Sequence, residues 1–522
     1  MGMKCGSASQ ALRFQTFRVL WPHRAMACGV VLVLSASGCA VGPNYKTPER
    51  ALPNRYTEST LPERTVSAPV AHGASQHLNI GKDIPGDWWA LYRSEPLTRL
   101  VALAIRNNPN LESARQALRN AQELTLAQYS GLLPAVGGTF GRTRGNFPFA
   151  PSGQPNTSMS YGYYDAHLGL SYNFDVWGKT RRLIEQQEAQ SDYQRAYFEA
   201  VLLTLTGNVV ATAINEASLR SQINVQKRLI VIERDYLTML RQQFTLGGAN
   251  GTDVALQEAQ LAQQEAGLPQ LENSLAQARN AMAASLGALP ADVALPRFDL
   301  SDLTLPTEVP IALPSDLLKN RPDIRQADGN LHAATAAVGV AIANRLPQFT
   351  LTGDLGSQAA RAGQLMTPGN GLATLATQVT MPIFEGGNLL HQQRAAVATM
   401  RDYAAQWQST VVGAFQDVAN ALMQIQNDSR QLSANLLTEQ AAARALDLAR
   451  RQYRLGGVSY LTVLSSEIIY QQAAIALVQA RAARLSDTSA LLVALGGGWW
   501  NRQDVPPPPP GVFESLMPWS KS

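Results

Sequence analysis

A block of about 150 residues occurs twice in this chain, and each copy carries a helical run too long for an ordinary globule. Asn107-Asn108-Pro109-Asn110-Leu111 is matched by Asn320-Arg321-Pro322-Asp323-Ile324 at a spacing of 213 residues, and the same spacing relates Leu133-Pro134 to Leu346-Pro347. Further on the spacing becomes 209, relating Phe244-Thr245-Leu246-Gly247-Gly248 to Tyr453-Arg454-Leu455-Gly456-Gly457 and Leu286-Gly287 to Leu495-Gly496. Duplication followed by the trimming of one loop leaves this pattern. The organisation it predicts is a first repeat over 87–300 and a second over 301–500.

The long runs, Lys179 to Leu246 and Asn388 to Leu455, contain no proline and one interior glycine each, Gly207 and Gly413. As helices each would be about 100 Å long at 1.5 Å per residue. Leu219, Ile223, Ile230, Leu237, Leu240 and Phe244 recur at near-heptad steps, with Gln226 and Glu233 interrupting, which predicts side-by-side helix packing. Shorter helices are expected before Pro109, from Asn110 to Leu133, from Asp253 to Leu286 with a bend at Pro269, and from Leu461 to Leu495. In each copy the helix before the strands and the helix after the Gly-Gly turn together nearly match the long one. End to end they would lie antiparallel along it.

Between these helices the periodicity changes to two. Leu168, Leu170, Tyr172 and Phe174 alternate with small or polar residues, as do Phe349, Leu351 and Leu355, and then Leu375, Thr377, Val379, Met381 and Ile383. Two strands per repeat are expected, within 136–175 and 348–384. Pattern alone allows a soluble hairpin on a core or a membrane strand pair. Four strands cannot close a membrane barrel, which needs about eight, and an open sheet in lipid would leave edge N–H and C=O groups unpaired at several kcal/mol each. If these strands span a membrane, several chains share one barrel. The mature chain is expected to have no apolar helix of spanning length, leaving strands as its means of crossing.

Residues 1–38 combine a basic start, an apolar run from Ala25 to Leu34 and Ser35-Ala36-Ser37-Gly38, and read as a signal peptide. Four of the 43 Lys and Arg lie there, so the remainder is balanced at 39 basic and 39 acidic residues, which does not fit a nucleic-acid binder. Cysteines stand at 5, 28 and 39 only, so cleavage before Cys39 leaves one thiol and no disulfide. Cys39 is either an inert remnant or a lipidation site. Small residues before a Cys resemble a bacterial lipobox, with Ala36 where Leu is more usual, and Ala40 in place of Asp implies outer-membrane sorting. Residues 39–86 read as an extended tether, and 501–522 as a Pro-rich tail.

No constellation of catalytic residues is present, and no cofactor or metal motif: the histidines are scattered and none forms a His-x-x-x-His pair. Gly247-Gly248-Ala249-Asn250-Gly251-Thr252 faintly suggests a phosphate loop but lacks its Lys; its twin at 456–461 favours a helix-to-helix turn.

Cys39-Ala40-Val41-Gly42-Pro43-Asn44-Tyr45, Trp88-Trp89 with Leu91, the Asn-Asn-Pro-Asn-Leu block, the paired Leu-Gly-Gly turns and Ala494-Leu495-Gly496-Gly497-Gly498-Trp499 together resemble the TolC-like outer membrane efflux channels, in their NodT-type lipoprotein branch. The resemblance covers nearly all of the mature chain. It implies a mainly α fold with a β portion: a homotrimer whose long coiled-coil helices form an α-helical tunnel and whose four strands per chain build a shared 12-stranded transmembrane β-barrel. It implies a lipid-anchored protein that spans the outer membrane and extends into the periplasm, a passive export duct for small toxic compounds or drugs in a tripartite efflux pump. Its partners would be a periplasmic adaptor and an inner-membrane pump. Gly247, Gly248, Gly456 and Gly457 would form the adaptor-facing tip, and Leu461 and Ser465 the aperture. Ser465 stands where related channels carry an aspartate, and nearby Glu467 reads as a solvated side chain. Two alternatives remain: the outer membrane channel of a type I protein secretion system, and a periplasmic coiled-coil scaffold.

Overall fold

The computed structural model describes residues 40–48, 53, 55–58, 62–149 and 157–502. The signal segment, Cys39 and residues 503–522 of the tail lie outside the described residues. In chain order the elements are β1 (His77–Ile80), α1 (Glu95–Asn107), α2 (Pro109–Tyr129), β2 (Ala135–Phe149), β3 (Thr157–Phe174), α3 (Lys179–Thr245), α4 (Gly251–Ser285), β4 (Glu308–Ile311), α5 (Pro314–Asn320), α6 (Pro322–Ala343), β5 (Gln348–Ala359), β6 (Gly371–Thr380), α7 (Asn388–Arg454) and α8 (Tyr460–Ala494). They fall into two compact units that cut across the two repeats: residues 135–181 and 343–383 with 40–41, and residues 42–134, 182–342 and 384–502.

The first unit is a four-stranded antiparallel meander in the order β2-β3-β5-β6. Opposed residues share a face, so the register gathers Val136, Phe140, Leu168, Leu170, Tyr172, Phe174, Phe349, Leu351, Leu355, Leu375 and Val379 on one side. This face is bare: Phe140 is 70% exposed and Leu375 75%. The other face is small and polar, with Thr139, Ser171, His167, Asp165, Thr352, Asp354 and Thr374. His167, which the sequence leaves isolated, lies 3.6 Å from Asp165 and 4.0 Å from Asp354 there. Among the described residues β2 and β6 are edge strands with no outer partner. Met381 and Ile383, expected to continue the alternation, lie past the end of β6. The sheet leads into α3 through Gly178, at φ +75°, and Asp175, whose carboxylate accepts from Thr180 N at 2.8 Å and Arg181 N at 3.0 Å.

The second unit is helical. α3 and α7 have 67 residues each, about 100 Å of helix. α2 begins at Pro109, where Asn108 Oδ1 accepts from Asn110 N and Leu111 N at 2.9 and 3.1 Å. Its first turn abuts the end of α4: a Cβ on Gly287, at φ +68°, would lie 2.5 Å from Asn107 O and 2.8 Å from Pro109 Cδ. α2 and α4 are thus joined end to end, and in the second copy Gly496 approaches Asn320 O. Within this unit Trp88, Tyr92, Phe298, Trp407 and Leu485 share one buried cluster.

Two expectations change here. The segment read as a tether is built into the fold. β1 pairs in parallel with β4, and Arg484, buried in α8, donates to His72 O at 2.8 Å and Gln76 Oε1 at 3.0 Å. Asn44 accepts from Arg182 at 2.7 Å, and Tyr45 stacks on His332 and donates to Asp328. The absence of apolar helices also does not hold: α3 and α8 each contain an 18-residue window of mean hydropathy 1.4, apolar enough by length and composition to cross a membrane. Half of the α3 window and a third of the α8 window are buried by packing.

Candidate functional site

The two Gly-Gly turns share their glycine backbone bonds. Gly247 (φ +75°) and Gly456 (φ +74°) take the left-handed conformation that ends α3 and α7. Gly248 N donates to Gln243 O at 2.8 Å, and Gly457 N to Gln452 O at 2.9 Å, satisfying carbonyls the helices leave open. Asn250 then caps α4 by accepting from Asp253 N at 2.8 Å. The turns share one hydrophobic cluster, in which Tyr236, Leu240, Leu446, Ala449, Tyr460, Val463 and Leu464 are covered by Ala249 and Val254. At its rim Leu246 and Leu455 are 86% and 87% exposed.

The structure places the four tip glycines in these turns, and Leu461 and Ser465 one helical step apart on an exposed stripe of α8. Cys39 lies outside the described residues. Glu467 is not the solvated side chain the sequence suggests. It is 1% exposed, as is Glu233 of α3.

Around these two carboxyl groups the four helices α3, α4, α7 and α8 meet. Glu233 accepts from Gln257 of α4 at 2.5 Å and from Gln471 of α8 at 3.2 Å. Glu467 accepts from Arg450 of α7, and Tyr460 donates to Gln257 Oε1. The Arg450 guanidinium also lies 5.6 Å over the Tyr236 ring, which stacks on Tyr460 at 6.0 Å. Glu467 Oε2 has no donor among the described residues. Burial first, then hydrogen bonding with and repulsion from Glu233, push Glu467 up to about 8 against the pull of Arg450. The protonated form of Glu467 is therefore favoured at neutral pH within this buried junction. At the turn itself Tyr453 is raised by burial and by the nearby Asp253 carboxylate.

Sequence reasoning missed this junction. Its trace was Glu233 and Gln226 interrupting an otherwise apolar stripe. Gln226 behaves likewise, buried and donating to Gln264 O at 2.9 Å.

Comparison with known proteins accords with this geometry. The family model described as outer membrane efflux protein matches residues 100–288 and 313–497. The starts of the two matches are 213 residues apart and their ends 209, the spacings of the internal repeat. The chain is 30% identical over 439 residues to the pyoverdine export outer membrane protein OpmQ of Pseudomonas putida, covering 82% of this chain and 92% of that one. It is 30% identical over 465 residues to the toluene efflux pump outer membrane protein TtgC of the same species, covering 88% and 92%. The solved outer-membrane channel OprN superposes with a TM-score of 0.79 at 26% identity, covering 88% of this chain and all of that one. With the family model matching both repeats across most of the chain, the protein belongs to the outer membrane efflux protein family.

Proposed function

We propose that three copies of this chain form the outer membrane duct of a tripartite efflux pump, a passive conduit for small toxic compounds driven by an inner-membrane pump through a periplasmic adaptor. The observation that carries this reading is the four-stranded sheet, with one bare apolar face, one polar face and two open edges. In lipid those edges cost several kcal/mol per unpaired group. Pairing β6 of one copy with β2 of the next satisfies them, and three copies close a 12-stranded barrel with the polar face lining a water-filled bore. The toluene efflux pump to which the similar protein TtgC belongs supports a small-molecule cargo.

Gly247, Gly248, Gly456 and Gly457, with exposed Leu246 and Leu455, then form the adaptor-facing tip, and Leu461 and Ser465 face the aperture. With serine there in place of an acid, that constriction carries no ring of fixed negative charge at this level. Cys39 carries acyl chains that anchor the amino terminus at the membrane.

Planar-bilayer conductance together with heat-modifiable mobility of the purified protein tests the duct. A periplasmic scaffold shows neither. Deleting the protein and challenging cells with a panel of toxic compounds tests the cargo: unchanged tolerance with loss of a secreted polypeptide would replace efflux by type I secretion.

A further inference from the structure

The charges of the sheet are sorted by face. In the strand register both acids, Asp165 and Asp354, lie on the polar side with His167. The two cations, Arg142 and Arg144, lie on the other side, in line with Val136 and Phe140. Both are exposed, and neither makes an ion pair among the described residues. Arg142 lies 5.3 Å over the Tyr164 ring. With Asn146, Ser160 and Gly162 these side chains line a shallow groove of about 540 Å³. No carboxylate shares this face on β2, β3, β5 or β6 among the described residues, so pairing β2 with a second copy's β6 brings none to it.

The height of the pair along the sheet is informative. The apolar rows begin at Phe174, paired with Phe349, at the end where the chain continues into α3. From Phe174 to Tyr164, the partner of Arg142, is ten residue steps along β3, which at about 3.4 Å per residue and a strand tilt of about 40° is about 26 Å of height. An outer-membrane barrel has an apolar band of about 25 Å. Arg142 therefore stands at the rim of the band opposite Phe174, and Arg144 one row beyond.

We propose that Arg142 and Arg144 form a binding site for the phosphate groups of a lipid in the outer leaflet, one site per copy on the outside of the barrel. The inference rests on the barrel reading above, which puts this face toward lipid. Two adjacent guanidinium groups without a protein counter-ion, at headgroup height, match phosphate in charge and in bidentate geometry. Tyr164 holds one of them in place from below.

The test uses the full-length protein reconstituted in phosphatidylcholine vesicles doped with a bis-phosphorylated glycolipid, or with the same glycolipid after phosphatase treatment, and native mass spectrometry of the lipid retained. The expected result is retention of the phosphorylated form only, lost in the Arg142→Gln, Arg144→Gln double variant while bilayer conductance is unchanged. Equal retention of both lipids, or equal retention by both proteins, in material that still conducts would overturn this site and leave the barrel intact. Protein that neither conducts nor shows heat-modifiable mobility would overturn both.

Discussion

Arg321 donates from its guanidinium to the carbonyl of Ala494 at 2.8 Å, where in the first repeat Asn108 donates to the carbonyl of Ser285 at 2.9 Å. Two different side chains thus tie the start of a short helix to the last turn of the helix stacked on it. The duplication has kept the bond while changing the residue. Arg321 reaches further, holding Asp323 at 2.6 Å and Asp417 at 3.1 Å as well.

Asn108→Ala removes a cap and this tie together. It is expected to cost about 1–2 kcal/mol. Arg321→Ala should cost more, because it leaves the Ala494 carbonyl without its donor and removes two ion pairs at once. Thermal dissociation of the assembled protein, followed by gel mobility, would rank the two.

The tip and joint glycines should respond differently to alanine. At Gly247 a Cβ meets nothing within 4 Å, so Gly247→Ala pays only for the left-handed backbone, about 1–2 kcal/mol. At Gly287 the same Cβ would sit 2.5 Å from a backbone oxygen. Gly287→Ala should reduce folded yield sharply while Gly247→Ala is recovered assembled.

Glu467 should make the junction beside the Gly-Gly turns sensitive to alkali. Its folded value, raised from 4.5 to about 8, means the folded state holds a proton the unfolded chain has released. Stability contributed at this site is complete below about 4.5 and is lost as pH rises through about 8. Asp428, raised to about 8 by burial and by Asp487, adds a slope of the same sign. Glu467→Gln keeps a neutral side chain there and should flatten part of the decline in thermal midpoint between pH 5 and 8. An identical decline in the variant would show that Glu467 is ionised throughout.

The two faces of β6 should tolerate charge unequally. Leu375→Arg places a cation in the middle of the apolar rows, at about 2–4 kcal/mol, and should abolish membrane assembly. Thr374→Arg, one residue away on the polar face, should assemble and alter conductance instead.

Cys39→Ser is expected to yield a protein lacking acyl chains and retaining the signal segment, read by intact mass. On the proposed barrel reading the strands should still insert, because closing the sheet between copies does not involve residue 39.

The helices and strands were legible because proline, glycine and periodicity mark them directly. α3 ends within one residue of its expected limit, and Pro109 and Gly287 announce a joint the structure contains. What could not be read depended on partners distant in sequence. β1 is only four residues, His-Leu-Asn-Ile, and its strand character comes from β4, 231 residues later at the first pair. Glu467 looks like any helical glutamate until the rotation of α8 turns it against Glu233. Leu461 and Ser465, two helical steps or less away, face solvent on the same helix.

The abutment of α2 on α4, and of α6 on α8, gives each repeat a spliced strut beside a continuous one. A torsional load applied at the Gly-Gly turn runs unbroken along α3, but along its neighbour it must cross a seam where Asn108 bonds the Ser285 carbonyl and a glycine nests against a proline. In the second repeat Arg321 spans the matching seam and also holds Asp417, so the two struts are fastened unequally.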